Sequence, residues 1–398
     1  MKKIIYPDNI DPLLIQYISI FPIGDMQKVW NGIRNDMRSV CTETNLFDSI
    51  YPTSIEDILI ADYPKLVDIY IDYFNERKRG IISEDIEARL QELFNYNGDY
   101  PMKYQPDIAD FFMQNAETLN IHVCHYCELS YVNAYGLKNK YGSFLEFLNN
   151  ADDKEIKRHI RGSNGNALSD KTYTKIISLR NLGFQDDRQL EETFNAIHPT
   201  WKQGKGKCHD VMNKLHNHFD LDHFLPKSKC PIVGLSFKNF VPSCSVCNEK
   251  LKKDDMLGQL IREDLLRLSP TSSEYCFDEK VKITIQDAKE GVNHLKMQEH
   301  ASDFKIRFET DDEILRTEII DEFRLEERYN YHKCEALRLH DLLLDYPDAK
   351  IKKMSEALGN SRSVDEIKED IFGMNYSKDN HRCMDKMRRD VLSLEIKK

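Results

Sequence analysis

Over the first 120 residues, apolar side chains return every three or four positions between charged ones, and this spacing predicts helices. In ILIADYPKLVDIYIDYF (58–74), dense in apolar residues, Pro64 marks a helix start, because proline lacks the N–H that a first turn leaves unpaired. SEDIEARLQELF (83–94) opens on Ser83 as N-cap and sets three acids in its first turn. Ile86, Leu90 and Leu93 then recur at helical spacing. HVCHYCELSYVNAY (122–135) is β-branched and aromatic, which predicts a turn leading into a strand. Further on, VKITIQ (281–286) and FKIRFE (304–309) alternate apolar and polar residues, as half-buried strands do. A long helix is expected next: Leu325, Tyr329, His332, Ala336, Leu339, Leu343 and Tyr346 form one stripe, with His332 a satisfied core or edge histidine. Near the end, Met384, Met387, Val391 and Leu394 repeat at helical spacing, which indicates core packing rather than an interaction tail.

Gly, Asn and Ser make RGSNGNALSD (161–170) a loop, and KQGKGK (202–207) reads as another. The partition that follows is an acidic helical region over 1–120, a cysteine turn and strand over 121–135, and an insertion over 136–207. A compact core over 208–258 and a mixed C-terminal region with two strands and long helices over 259–398 complete it. No repeat of 20 to 50 residues is present. The expected class is α+β, mainly helical.

With 398 residues, 40% hydrophobic and 31% charged, the chain reads as globular and water-soluble. No run of 18 apolar residues predicts a membrane span. Tyr6, Pro7 and Asp8 interrupt any signal-peptide core, so a cytoplasmic location is expected. A net charge of −11 excludes a surface coated everywhere for DNA. The charge is uneven, however: residues 1–120 hold 11 basic and 20 acidic side chains, whereas 202–253 hold ten lysines, no arginine and four acids. That basic stretch fits one focused anionic partner, or a solvated lysine-rich face.

Ten cysteines without a secretory signal do not suggest a disulfide framework. Cys41, Cys208, Cys230, Cys276, Cys334 and Cys383 stand singly, and buried apolar thiols are the expectation for most. Cys124–Cys127 and Cys244–Cys247 are two CxxC pairs. Each can turn two sulfurs inward, and together they make an S4 set suited to tetrahedral zinc. The competing reading, a redox dithiol, calls for a helix start in a βαβ context, which neither pair has. The pairs lie 116 residues apart, a gap that the insertion explains in large part if it projects from the zinc turn. Cys208, His209, His216 and His218 match no standard ligand spacing, and His122 and His125 flank a set that four thiols already complete.

FDLDHFLPKSKCPIVGLSFKNFVPSCSVCNEKLKK (219–253) resembles the HNH endonucleases of the ββα-metal superfamily, in their four-cysteine zinc subtype. The matching positions are Asp222 and His223, then Asn239, then Asn248 directly after Cys247. The resemblance covers 122–135 and 219–253; more loosely, the whole chain is similar to long HNH proteins of bacterial anti-phage defence, including Septu-like pairs with an ATPase. It implies a DNA nuclease, with RNA as the other substrate class, an ATPase partner and no membrane. It also implies Asn239 as a tether that orients His223 through the backbone.

The chemistry can be read beside the name. Phosphodiester hydrolysis needs a water deprotonated near phosphorus and charge neutralised on the phosphate. A neutral imidazole suits the first task, which assigns His223 as base. A hard ion, Mg²⁺ or Mn²⁺, takes few protein oxygens, which assigns Asp222 and Asn248 as its ligands. Consecutive strand residues face opposite ways, so Asp222 and His223 lie at a twisted strand end or work from different sides. Lys227 and Lys229, after the stiffening Pro226, and Lys250, Lys252 and Lys253, near the short helix, are the expected phosphate contacts. Lysines read charge rather than base edges, so weak sequence specificity is expected. The alternative is a non-enzymatic zinc-stabilised adaptor for nucleic acid or protein.

Overall fold

A computed structural model describes residues 2–96, 104–135, 141, 143–160, 168–180, 182–187, 189–190, 193–194, 216–288, 296–359, 361–373 and 382–393. Cys208, His209, Leu394, the 202–207 loop and most of the 161–170 loop lie outside the described residues. The chain divides into two compact units: Met1–Asn95, Asn115–Asn133 and His218–Lys398 form one, Tyr96–Gln114 and Ala134–Asn217 the other. The architecture is α+β and mainly helical, and its described sheets are three antiparallel pairs of strands.

Six helices open the first unit: α1 (Asp11–Ile18), α2 (Ile23–Val40), α3 (Thr44–Ile50), α4 (Ile55–Leu59), α5 (Tyr63–Lys78) and α6 (Glu84–Leu93). Pro64 stands in the first turn of α5, and the Ser83 hydroxyl accepts from Ile86 N–H to cap α6. Ile86, Leu90 and Leu93 are buried, so the helical spacing seen in the sequence is the face that packs. The second unit holds α7 (Gln105–Gln114), β1 (Ala134–Tyr135), α8 (Phe144–Asn150), α9 (Asp153–His159), α10 (Asp170–Ile177) and β2 (His216–Asn217). Its core gathers Phe144, Phe147, Leu148, Ile156, Ile176 and Phe194. Asp187 binds the Phe144 and Leu145 N–H groups at 2.9 Å each, occupying donors that the first turn of α8 leaves open.

The first unit resumes with β3 (Asp220–His223) and β4 (Phe240–Ser243), an antiparallel pair in register Asp222↔Val241 and His223↔Phe240. A π-helix follows at Val246–Lys252. The long loop between β3 and β4 is held by the N-terminal helices. Tyr17 O–H donates to Leu235 O at 2.7 Å and Ser236 O–H to Ile58 O at 2.8 Å, while the Tyr63 ring meets Phe224 edge-on at 6.0 Å. Next come α11 (Arg262–Leu268), β5 (Lys282–Asp287) and β6 (Phe304–Glu309). The strands β5 and β6 pair in register Ile283↔Phe308 and Ile285↔Ile306, with Ile283, Ile306 and Phe308 buried.

Two local expectations are corrected, for the long helix and for the single cysteines. The long helix is two, α12 (Leu325–Asn330) and α13 (Lys333–Asp345), broken at Tyr331 and His332. His332 has φ −109° and ψ 12°, which no helix interior holds, and its side chain is exposed rather than part of the stripe. Around the first CxxC the chain is turn leading into a strand: one isolated bridge, Val123↔Tyr131, precedes the two-residue β1. Of the five described single cysteines only Cys230 is buried; Cys334 is exposed and Cys41, Cys276 and Cys383 are half-buried. The last helices are α14 (Asp348–Ala357), α15 (Val364–Phe372) and α16 (Asp385–Leu392), the last burying Met387 and Val391.

Candidate functional site

The four paired cysteines meet. Cys124, Cys127, Cys244 and Cys247 are all buried, with every pair of sulfurs within 4.8 Å and Cys127 Sγ 3.9 Å from Cys244 Sγ. A zinc ion at about 2.3 Å from each sulfur would set tetrahedral edges of roughly 3.8 Å, so the spacing fits an ion at the centre. Each turn is shaped for this. Glu128 N–H donates back to Cys124 O at 2.9 Å, and Glu128 itself takes φ 52°, which folds the chain tightly after the second thiol. The Cys244 N–H then donates to Cys124 Sγ at 3.3 Å, stitching the second pair onto the first.

Arg328, on α12, reaches across the knot: Nη1 donates to Cys247 Sγ and Nη2 to Cys127 Sγ, both at 3.3 Å. Next to it, Tyr329 O–H donates to Cys127 O at 2.8 Å. Such outer contacts orient ligands and offset thiolate charge. Nothing in the local sequence signals Arg328, because the contact spans 201 positions to Cys127. His125 does not join the four sulfurs. Its Nδ1–H donates to Lys2 O at 2.9 Å, and burial pushes its pKa down to about 4. His122 is half-buried, and His218 is exposed.

Asp222 and His223 sit together at the end of β3, and their side chains meet different partners. The His223 ring lies 4.7 Å from that of its cross-strand partner Phe240, and its Nε2–H donates to Gly234 O at 2.9 Å. Burial, with help from the positive charges of Lys227 and Lys252, pushes its pKa down to about 3, so the ring is neutral. Gly234 is needed at this spot, since a Cβ there would meet Pro231 O at 2.9 Å and Lys227 Cβ at 3.2 Å. Asn239 is fully buried and ties the loop from within. Its Oδ1 accepts from Leu225 N–H at 2.8 Å, while Nδ2 donates to Leu225 O and Val233 O at 3.0 Å each.

On the other side, Asp222 is enclosed. Tyr126 O–H donates to Oδ2 at 2.5 Å; its own ionisation is pushed well up, first by burial and then by the Asp222 charge. Lys252 Nζ lies 3.2 Å from Oδ1 and 3.1 Å from Oδ2 and donates to His223 O at 3.0 Å. This corrects the expectation for Lys252, which is wholly buried and no surface grip. Lys250 and Lys253 are exposed, and Lys227 and Lys229 half-buried. Asn248, half-buried in the first turn of the π-helix, favours the charged form of Asp220 rather than completing a pair with Asp222. Burial, then the nearby Glu249 charge, raises the Asp220 pKa.

The donor set as it stands does not fit a hard divalent ion on Asp222 and Asn248. Such an ion keeps several waters and needs open oxygen lone pairs, whereas Asp222 is 4% exposed and both its oxygens already hold donors. Lys252 and Tyr126, the groups that close it, escape a reading by motif; Tyr126 is visible only as one of the two residues between the first pair of thiols. Compared with protein-family models, curated proteins and solved structures, the chain matches none.

Proposed function

We propose that the chain is an HNH-type endonuclease whose hairpin and short helix are held by a structural zinc in the four-cysteine knot. The observation that carries the reading is His223 itself: a buried, neutral imidazole on a strand end, with Nε2–H spent on a backbone carbonyl. That bond selects the tautomer with a lone pair on Nδ1, the nitrogen that would take a proton from water. Asn239 supports the reading as the tether that holds the Val233–Gly234 segment, and hence the carbonyl that aims the ring. Lys227 and Lys229 on the loop, with Lys250 and Lys253 beyond it, would contact phosphates; DNA is the substrate proposed, RNA the other class. A role in bacterial anti-phage defence beside an ATPase partner belongs to the same proposal. No step is drawn through Mg²⁺ or Mn²⁺, since the oxygen donors do not fit one as arranged.

A second reading, a zinc-stabilised adaptor without catalysis, is favoured by one observation, the enclosure of Asp222 by Lys252. Plasmid nicking separates the two. The protein is assayed with Mg²⁺, with Mn²⁺ and with chelator, beside His223→Ala. A base contributes about 10²- to 10⁴-fold, and a loss of that order in the variant is the expected result. Equal cleavage by both proteins removes His223 from the chemistry; no cleavage by either leaves the adaptor.

A further inference from the structure

We propose that Lys252 is an internal counter-cation that competes with divalent metal for Asp222, so that the site accepts an ion only when this ammonium withdraws. The inference deepens the nuclease reading and rests on it for the importance of Asp222, but its test needs no substrate. The ammonium donates to Asp222 Oδ1 at 3.2 Å and to His223 O at 3.0 Å, and Asp222 Oδ2, 3.1 Å away, completes the ion pair. Lysine and carboxylate are 0% and 4% exposed, so each is the other's charge partner in a region water does not screen. A second cation cannot share that carboxylate without facing the ammonium at close range, where like charges repel strongly.

The backbone is built to deliver this residue. Lys253 N–H bonds to Asn248 O at 2.7 Å, a five-residue step that widens the last turn and brings position 252 beneath β3, with Leu251 only half-buried. The turn ends on Lys253 at φ 54° and ψ −127°, a conformation strained for any residue with a Cβ. What the lysine would leave behind defines the ligand. Asp220 and Asp222 stand two residues apart on one face of β3, and Asn248 is near enough to Asp220 to favour its charged form. Asp220 Oδ2 has no hydrogen-bond partner among the described residues. Two carboxylates and an amide oxygen form a hard donor set, suited to Mg²⁺ or Mn²⁺ and unsuited to zinc or copper.

The experiment is a Mn²⁺ titration of the zinc-loaded full chain, read by the loss of the free-ion electron paramagnetic resonance signal. It compares the wild type, Asp222→Asn, Lys252→Gln, Lys252→Met and the double variant Lys252→Gln with Asp222→Asn. The expected result is a gain of at least about tenfold in Mn²⁺ affinity for the Lys252 variants, abolished when Asp222→Asn is added. A wild type that binds Mn²⁺ as tightly as Lys252→Gln, in a manner lost with Asp222→Asn, overturns the proposal. So does a folded Lys252 variant that gains nothing. Lys252→Gln keeps a neutral donor for Asp222 and covers the case in which Lys252→Met does not fold. If neither folds, an Asp222-dependent Mn²⁺ site in the wild type overturns the competition, and its absence supports it. Nicking by the wild type is a separate readout, so this proposal can fail while the nuclease reading stands.

Discussion

Asn239 offers a direct test of how the loop between β3 and β4 is held. It is fully buried, and its one amide group satisfies three backbone groups: Leu225 N–H, Leu225 O and Val233 O. Asn239→Ala strips all three of their partner at once. A buried backbone group left without a partner costs about 1–3 kcal/mol, and a loop that relaxes recovers part, so a loss of roughly 3–5 kcal/mol is expected. Asn239→Asp makes the sharper comparison. It keeps an acceptor for Leu225 N–H but turns a second oxygen toward two carbonyls, replacing two hydrogen bonds with repulsion between lone pairs. It should therefore cost at least as much as alanine despite its near-identical shape. Urea unfolding with zinc in excess, followed by far-ultraviolet circular dichroism, gives both values from the midpoints. A loss below about 1 kcal/mol for Asn239→Ala, or a milder effect for Asn239→Asp than for alanine, would refute the clamp.

Gly234→Ala should destabilise by about 1–3 kcal/mol, since the new Cβ meets a backbone oxygen at 2.9 Å; the same urea midpoint checks it, and a neutral outcome means the turn can open. Arg328→Met should leave one zinc per chain but speed its transfer to a colorimetric chelator, because two N–H···S contacts are lost; an unchanged rate makes Arg328 a packing residue only. Glu326 gives the pH dependence. Burial raises its pKa, but the Phe308 N–H bond and the Arg307 and Arg316 partners outweigh this and hold it below the usual carboxylate range. A depressed folded value means stability that is complete above the unfolded value of about 4.3 and lost as pH falls through the folded one. Glu326→Gln should therefore cost stability at neutral pH and flatten the acid limb of the urea midpoint; parallel limbs for the two proteins would contradict the assignment.

The parts legible in the sequence were those governed by near neighbours. Ser83 caps α6 and Pro64 opens α5 because those preferences act within one turn, and the alternation of VKITIQ and FKIRFE suffices for β5 and β6. The sulfur knot was legible for another reason: CxxC declares half a site, and two halves require each other at any separation. What misled was periodicity carried across a break. The stripe from Leu325 to Tyr346 continues in register through Tyr331 and His332, yet the backbone leaves the helix at His332, and apolar spacing does not report a φ/ψ change at one residue.

Lys252 shows why the site itself was harder to read than its metal staple. As letters, NEKLKK is a run of surface cations, and charge counting assigns all three lysines to one role. Position 252 turns inward because the last turn is wound with five residues between bonded groups, and no residue in it announces that winding. The partner that rewards the inward turn, Asp222, lies 30 positions earlier on β3, and Tyr126, which shares the carboxylate, is 96 positions earlier still, between the first two thiols. Bringing these three together depends on the sulfur knot, which pulls the Tyr126 turn against the β3–β4 hairpin. The cysteines therefore do more than stabilise a fold. They hold Tyr126 and Lys252 against Asp222, and a loosened knot should show first as a loss of those two contacts.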